Sequence, residues 1–152
     1  MKWLLALVAA TGLAWGDSPS APASQDAESE VRAVVKALFD GMRLADSSMV
    51  RPLFHAKARF ITMDLRNTGG AAKIEESAEG FIRFIGSPRN TVLDEQLSNI
   101  RTFVDGSLAS VWADYKLMVG DRVSHCGIDH FLLVKEEGSW KIIELADTRR
   151  GC

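Results

Sequence analysis

With 152 residues, 47% hydrophobic and 25% charged, the chain suffices for one globular domain with one core, and two domains would be cramped. A formal net charge of −2 and a pI near 5.9 leave no basic footprint for a nucleic-acid partner, and Arg149-Arg150 is the densest pair of cations.

Lys2 followed by the apolar run from Trp3 to Trp15 is a charged start with an apolar core. A core of about a dozen residues is too short to cross a bilayer of about 30 Å as a helix, and it has the form of a secretory signal. Small-x-small sites end at Gly16 and Ala23, and the stretch after the first is rich in Ser, Pro and Ala, as an unstructured spacer would be. Residues 1–23 are therefore read as signal peptide and the start of a linker, 24–27 as linker and 28–152 as the domain. Export to a periplasmic or extracellular location follows, with no membrane association of the mature form.

The span 28–45 carries Val31, Val34, Val35, Leu38, Phe39 and Met42 on one stripe at helical spacing, with Glu30, Arg32, Lys36, Asp40 and Arg43 elsewhere. Asp46-Ser47-Ser48 stops this helix and can cap a short second one over 49–55. A strand follows over 58–64, a loop at Asn67-Thr68-Gly69-Gly70, and a third helix over 78–85 capped by Ser77 and ended by Gly86-Ser87-Pro88. Four strands complete the chain, over 93–104, 108–119, 123–135 and 139–147, with turns at Asp105-Gly106, Gly120-Asp121 and Glu137-Gly138. Helices gathered on one side of an antiparallel meander make an α+β domain.

Within the strand over 123–135, Asp129 interrupts the apolar run Ile128-Asp129-His130-Phe131-Leu132-Leu133-Val134. A carboxylate there is turned to solvent or set in a pocket, and a buried one needs pairing, hydrogen bonds or a proton. The neighbouring strand presents Val111, Ala113, Tyr115, Leu117 and Val119 on its apolar face. With Gly120-Asp121-Arg122 as a three-residue loop, Ala113 lies opposite Asp129 and Tyr115 opposite Gly127, which turns Asp129 inward. With Glu137-Gly138 as a two-residue turn, Phe131 pairs Glu144 and Asp129 pairs Ala146, placing Trp140, Ile142 and Glu144 on the same inner face. One residue more or less in either connection would flip its strand.

The opening helix, Leu53-Phe54-His55 leading into the strand from Arg59 to Asp64, Val111-Trp112, Tyr115, His125-Cys126-Gly127, Asp129, Phe131 and Gly138-Ser139-Trp140-Lys141-Ile142 together resemble the nuclear-transport-factor-2-like (NTF2-like) superfamily, and within it the SnoaL-like and lumazine-binding-like groups. The resemblance covers about Glu28 to Arg150 and implies a cone of curved antiparallel sheet covered by three N-terminal helices. It implies no single function, because the scaffold hosts isomerases, dehydratases, cyclases, ligand binders and partner-binding domains. In the ketosteroid isomerases of this scaffold an inward acid donates a hydrogen bond to an oxyanion, and Asp129 looks similar. The position resembling that family's proton-abstracting carboxylate falls on Thr62, with Asp64 two residues on, and the first helix lacks the Tyr of the oxyanion hole.

These positions give a candidate ligand site of Asp129, Phe131, Tyr115, Trp140, Phe60, Thr62 and Asp64, a largely apolar cavity with a few convergent polar groups. The main expectation is an exported domain that binds a small, partly apolar molecule without a cofactor. The alternative is a lyase, isomerase or cyclase using Asp129, Glu144 and Tyr115 for proton transfer, and a further one is a partner-binding domain with an empty cone. His55, His125 and His130 do not share a face, so no metal site is expected. The outer sheet face around Trp112, with Ser110, Asp114 and Lys116, resembles the surface this superfamily uses for two-fold dimers, and a homodimer is expected. In an oxidising compartment Cys126 and Cys152 can pair if the tail folds back; the alternative is a buried Cys126 packing as a small hydrophobe beside a free tail thiol.

Overall fold

The computed structural model describes residues 25–66 and 70–152, and the expected signal peptide lies outside them. Helix α1 (Gln25–Leu44) takes in three residues read from the sequence as linker, because Asp26 and Glu28 in its first turn favour the positive end of the helix dipole. Its stripe of Val31, Val35, Leu38 and Met42 is buried. The helix ends at Ala45, in left-handed conformation with φ 54°, and Asp46 caps the next turn by accepting from the N–H groups of Ser48 and Met49 at 2.9 and 3.2 Å. That turn is α2 (Ser47–Val50), continued by a 3-10 turn (Arg51–Leu53) with Pro52 in its first positions.

Strand β1 (Phe54–Asp64) begins four residues before the expected start, and the sequence reading passed over β2 (Ala72–Ser77), an exposed edge strand carrying Lys73, Glu75 and Glu76. Charge on an edge strand guards it against further pairing and also hides its alternation. Helix α3 (Ala78–Ile85) follows, capped by the Ser77 hydroxyl, which accepts from the Gly80 N–H at 3.1 Å. The meander is β3 (Leu93–Asp105), β4 (Leu108–Val119), β5 (Arg122–Glu136) and β6 (Ser139–Arg149). Glu137 and Gly138, at φ 49° and 78°, form the two-residue turn between β5 and β6.

The sheet runs β2-β1-β6-β5-β4-β3. It is not wholly antiparallel, since β1 lies parallel to β6, the helical segments and β2 providing the connection away from that edge. Register shifts interrupt every pairing except β1 with β2, and such bulges bend and twist the sheet around the helices. The core sits between α1, α3 and the concave face, built on Val31, Leu38, Ile85, Val111, Phe131, Leu133 and Ile142, all fully buried.

Two bulges correct the sequence-derived registers. Between β4 and β5 the connection has two residues, Val119 facing Arg122, and a bulge between Leu117 and Met118 restores the count. Ala113 therefore lies opposite Asp129 as expected, through two offsetting differences. Between β5 and β6, Leu133 pairs Ile142 but Leu132 pairs Glu144, so Ile143 is the extra residue and everything beyond it changes face. Phe131 meets Leu145 and Asp129 meets Asp147.

Candidate ligand site

Between α1, α3 and the sheet lies a cavity of about 460 Å³. Its apolar walls come from Leu38, Phe39 and Met42 of α1, Phe81 and Phe84 of α3, and Phe60, Leu93, Leu117 and Leu145 of the sheet. Aromatic packing stiffens one side, where the Phe60 and Phe81 rings lie 4.7 Å apart and Phe54 and Phe60 5.2 Å apart. The polar lining is Thr62, Glu95, Tyr115, His125, Asp129, Asp147 and Arg149, with Glu76 at the β2 edge.

Asp129 is 2% exposed, and its Oδ2 has no hydrogen-bond partner. Burial, then the charge of Glu95 and a hydrogen bond with it, push its carboxyl well above the usual range. Burial likewise raises Glu95, to about 7. Two desolvated acids this close hold one proton between them rather than ionising together, so at neutral pH the pair is a donor and an acceptor at once. Among the described residues neither carboxyl has a salt bridge to a cation.

Beside them Asp147 is tied down. It accepts from the Thr62 hydroxyl and from Arg149 Nε at 3.3 Å. Tyr115 donates its hydroxyl to the Thr148 carbonyl at 2.9 Å, with Asp147 Oδ2 at 3.4 Å. Burial and the surrounding carboxylates raise the phenol, which keeps it a donor locked to the backbone rather than a proton shuttle. His125, 7% exposed, has its edge-on neighbour in Tyr115 with centroids 5.7 Å apart. Burial and the positive charges of Arg149 and Arg66 lower its pKa and hold it neutral.

Of the residues singled out from the sequence, the structure brings Asp129, Tyr115, Phe60 and Thr62 to this cavity. Glu144 is not among them. The Ile143 bulge turns it to the outer face, where Arg59 Nε donates to its Oε2 at 2.6 Å. Phe131 and Trp140 belong to the apolar core rather than the cavity wall: Phe131 meets Phe39 edge-on at 6.0 Å, and Trp140 Nε1 donates to Glu30 at 3.0 Å. Asp64 closes on Arg66 Nε at 2.8 Å, and that guanidinium holds its carboxyl well below the usual range, a fixed anion outside the cavity.

Sequence reasoning missed Glu95, Asp147, Arg149 and the lining role of His125. The signal for Glu95 was present, since Leu93, Glu95 and Leu97 alternate onto one face. Asp147 and Arg149 have no such signal unless the bulge is known. Glu95 also lines a second groove of about 490 Å³ between α1 and β3, with Val35, Phe39, Leu97 and Ile100. Cys126 and Cys152 are joined by a disulfide, the tail being held where Arg150 bridges Cys126 through paired backbone hydrogen bonds of 2.8 and 3.0 Å. Among the described residues no group of His, Cys, Asp and Glu side chains is arranged to hold a metal ion.

Residues 26–145 match the family described as "Putative lumazine-binding". No curated protein matches this sequence. Among solved structures, an NTF2-like protein of unknown function from Shewanella baltica is similar at a TM-score of 0.65 and 18% identity, covering 86% of this chain and 98% of that one. The beta subunit of a "putative aromatic-ring-hydroxylating dioxygenase" from Novosphingobium aromaticivorans has a TM-score of 0.68 at 14% identity, covering 84% and 92%. A "putative dehydratase from the NTF2-like family" of Streptomyces avermitilis has 0.62 at 12%, covering 84% and 98%. At these identities the likeness concerns the fold.

Proposed function

The chain belongs to the lumazine-binding family of the NTF2-like superfamily, and from that membership we propose that it is an exported domain which binds a small, partly apolar molecule in its cone. The observation that carries the reading is Asp129, buried in the polar lining of the cavity beside Glu95, with one oxygen, Oδ2, that has no hydrogen-bond partner. A buried acceptor without a partner costs about 1 to 3 kcal/mol, which a ligand N–H or O–H would recover. Apolar walls with few polar groups fix the orientation of such a ligand. The test combines native mass spectrometry of protein from its own source with a fluorescence titration by lumazine, the pteridinedione its family description names. Retained small-molecule mass or saturable lumazine binding, lost in Leu145→Trp, supports the reading; a ligand-free parent that binds no lumazine overturns it.

A second reading is acid–base catalysis by the same pair. Glu95, with its pKa raised to about 7, meets the requirement that a general acid or base titrate near its working pH. Glu95 takes the place first given to Glu144, and Tyr115 serves as a fixed donor. Turnover of a bound ligand by the parent, absent in Glu95→Gln, would favour it.

Export rests on the charged and apolar N-terminal segment and agrees with a disulfide, a bond that persists in oxidising compartments. Intact mass of exported protein is expected to begin near Asp17 or Ser24; retention of Met1 would refute it. A homodimer is proposed through the outer face, where Trp112 and Phe103 are 45% and 63% exposed.

A further inference from the structure

Deep in the polar lining, Glu95 and Asp129 are two carboxyls that no cation among the described residues bonds. Asp147 has Arg149, and Asp64 has Arg66. Glu144 on the far face has Arg59. Each of these carboxylates has a guanidinium within 3.3 Å, while Glu95 and Asp129 share a cavity with no cation bonded to either among the described residues. The arrangement is acidic and walled by aromatic and aliphatic side chains.

We propose that the cone selects a ligand carrying a protonated nitrogen on an apolar ring system, an amine or amidine whose N–H groups bond Asp129 Oδ2 and the Glu95 carboxylate. The proposal rests on the ligand-binding reading above and adds the chemical class. Charge-assisted hydrogen bonds to a buried carboxylate are roughly twice as strong as neutral ones, and the low dielectric of the apolar wall amplifies the attraction. An anionic ligand would meet Glu95, Asp129 and Asp147 with only Arg149, already bonded to Asp147, in its favour. A neutral ligand would leave the proton between the two acids in place.

Binding of a cation therefore displaces that proton to solvent. The other groups around the pair are set: Thr62 and Tyr115 are neutral donors, His125 is held neutral, and Asp147 and Arg149 form an ion pair. Helices α1 and α3 present apolar side chains to the cavity, and Glu76 stands at its edge; Arg32, Lys36 and Arg43 of α1 line the second groove with Glu95, where they are paired with Glu28 and Asp40. Proton release on binding should thus trace to Glu95 and Asp129.

Three probes on one ring test the class, namely 1-naphthylmethylamine, 1-naphthalenemethanol and 1-naphthoic acid, each titrated calorimetrically at pH 7 in phosphate and in Tris. The amine should bind about tenfold or more tighter than the alcohol, the scale of one charge-assisted contact, with the acid weakest. Its heat should differ between the two buffers as proton release requires. In Glu95→Gln and in Asp129→Asn the preference should fall to within about threefold, and the first variant, at a half-buried site, serves if the second fails to fold. Equal affinity for amine and alcohol, or tightest binding of the acid, would overturn the class while leaving the binding reading intact. Failure of all three probes to bind would count against the reading itself and the class with it.

Discussion

Gly127 lies so close to Thr148 across the β5–β6 pair that a Cβ built on it would stand 1.7 Å from the Thr148 carbonyl oxygen and 2.6 Å from the Tyr115 ring. The same carbonyl accepts the Tyr115 hydroxyl at 2.9 Å. The nearest obstacle is backbone, which cannot swing aside as a side chain can.

Gly127→Ala should therefore push β6 from β5 and break the Tyr115 hydrogen bond. The expected loss is about 3 kcal/mol, at the upper end of overpacking, or failure to fold. Urea denaturation measures it, and a loss below about 0.5 kcal/mol, the range of an ordinary surface substitution, would contradict the placement.

The Cys126–Cys152 bond closes a loop across 26 positions of sequence. Chain-entropy reasoning gives about 3.5 kcal/mol for such a loop, lessened by the strand pairing already holding the tail. The Cys126→Ser, Cys152→Ser double variant should melt several degrees lower, and reductant should lower the parent to match. A parent insensitive to reductant would count against the bond.

Raised acids tilt the pH profile. Glu95 moves from 4.5 to about 7 on folding, so between those values the folded protein holds a proton that the unfolded chain has released. Its contribution to stability is complete at the acid end of that window and is lost as pH rises through about 7. Asp64 acts oppositely, its stabilisation by Arg66 being lost only at acid pH, below the window. Melting temperature should thus fall from pH 5 to pH 8, and Glu95→Gln should flatten the slope; an unchanged slope would remove Glu95 as its source.

Asp129→Leu removes the unsatisfied oxygen and the charge repulsion with Glu95, and it should raise stability by about 1 kcal/mol at pH 8, where the acid's burial costs most. Asp129→Asn keeps shape and donor capacity without titration, and should leave stability nearly unchanged. Marked destabilisation in both, with ligand binding untouched, would make Asp129 a structural acid.

Trp112 packs against His130 with ring centroids 5.9 Å apart and the planes tilted by 53°, and Phe103 lies on the same outer face. A self-complementary patch of this kind suits a two-fold dimer. Sedimentation should show a dimer for the parent and a monomer for Trp112→Glu. A monomeric parent would end the idea.

How much of this was legible depended on whether a side chain's face follows from plain alternation. Asp129 was, because Val111, Ala113 and Tyr115 mark the inner face of β4 and two offsetting differences leave that pairing intact. The family resemblance rested instead on particular residues, among them Leu53-Phe54-His55, His125-Cys126-Gly127 and Gly138-Ser139-Trp140, and residues 26–145 match a family within that superfamily. Glu144 was not, since nothing in Trp140-Lys141-Ile142-Ile143-Glu144 distinguishes a bulge from a continuous strand. Glu95 escaped for another reason: an acid between two leucines on a partly exposed strand reads as surface until the opposing acid is known.

Ile143 is, in effect, a phase marker. Before it, the even-numbered residues Trp140 and Ile142 form the floor; after it, the odd-numbered Leu145, Asp147 and Arg149 form the wall. One strand thus writes two messages in alternating letters, packing first and recognition second, with the letters exchanged between them. A saturation scan of β6 should show intolerance switching from even to odd positions at Ile143. The recognition half can then diverge without rewriting the packing half, whereas gaining or losing one residue at the marker would exchange wall and surface at a stroke.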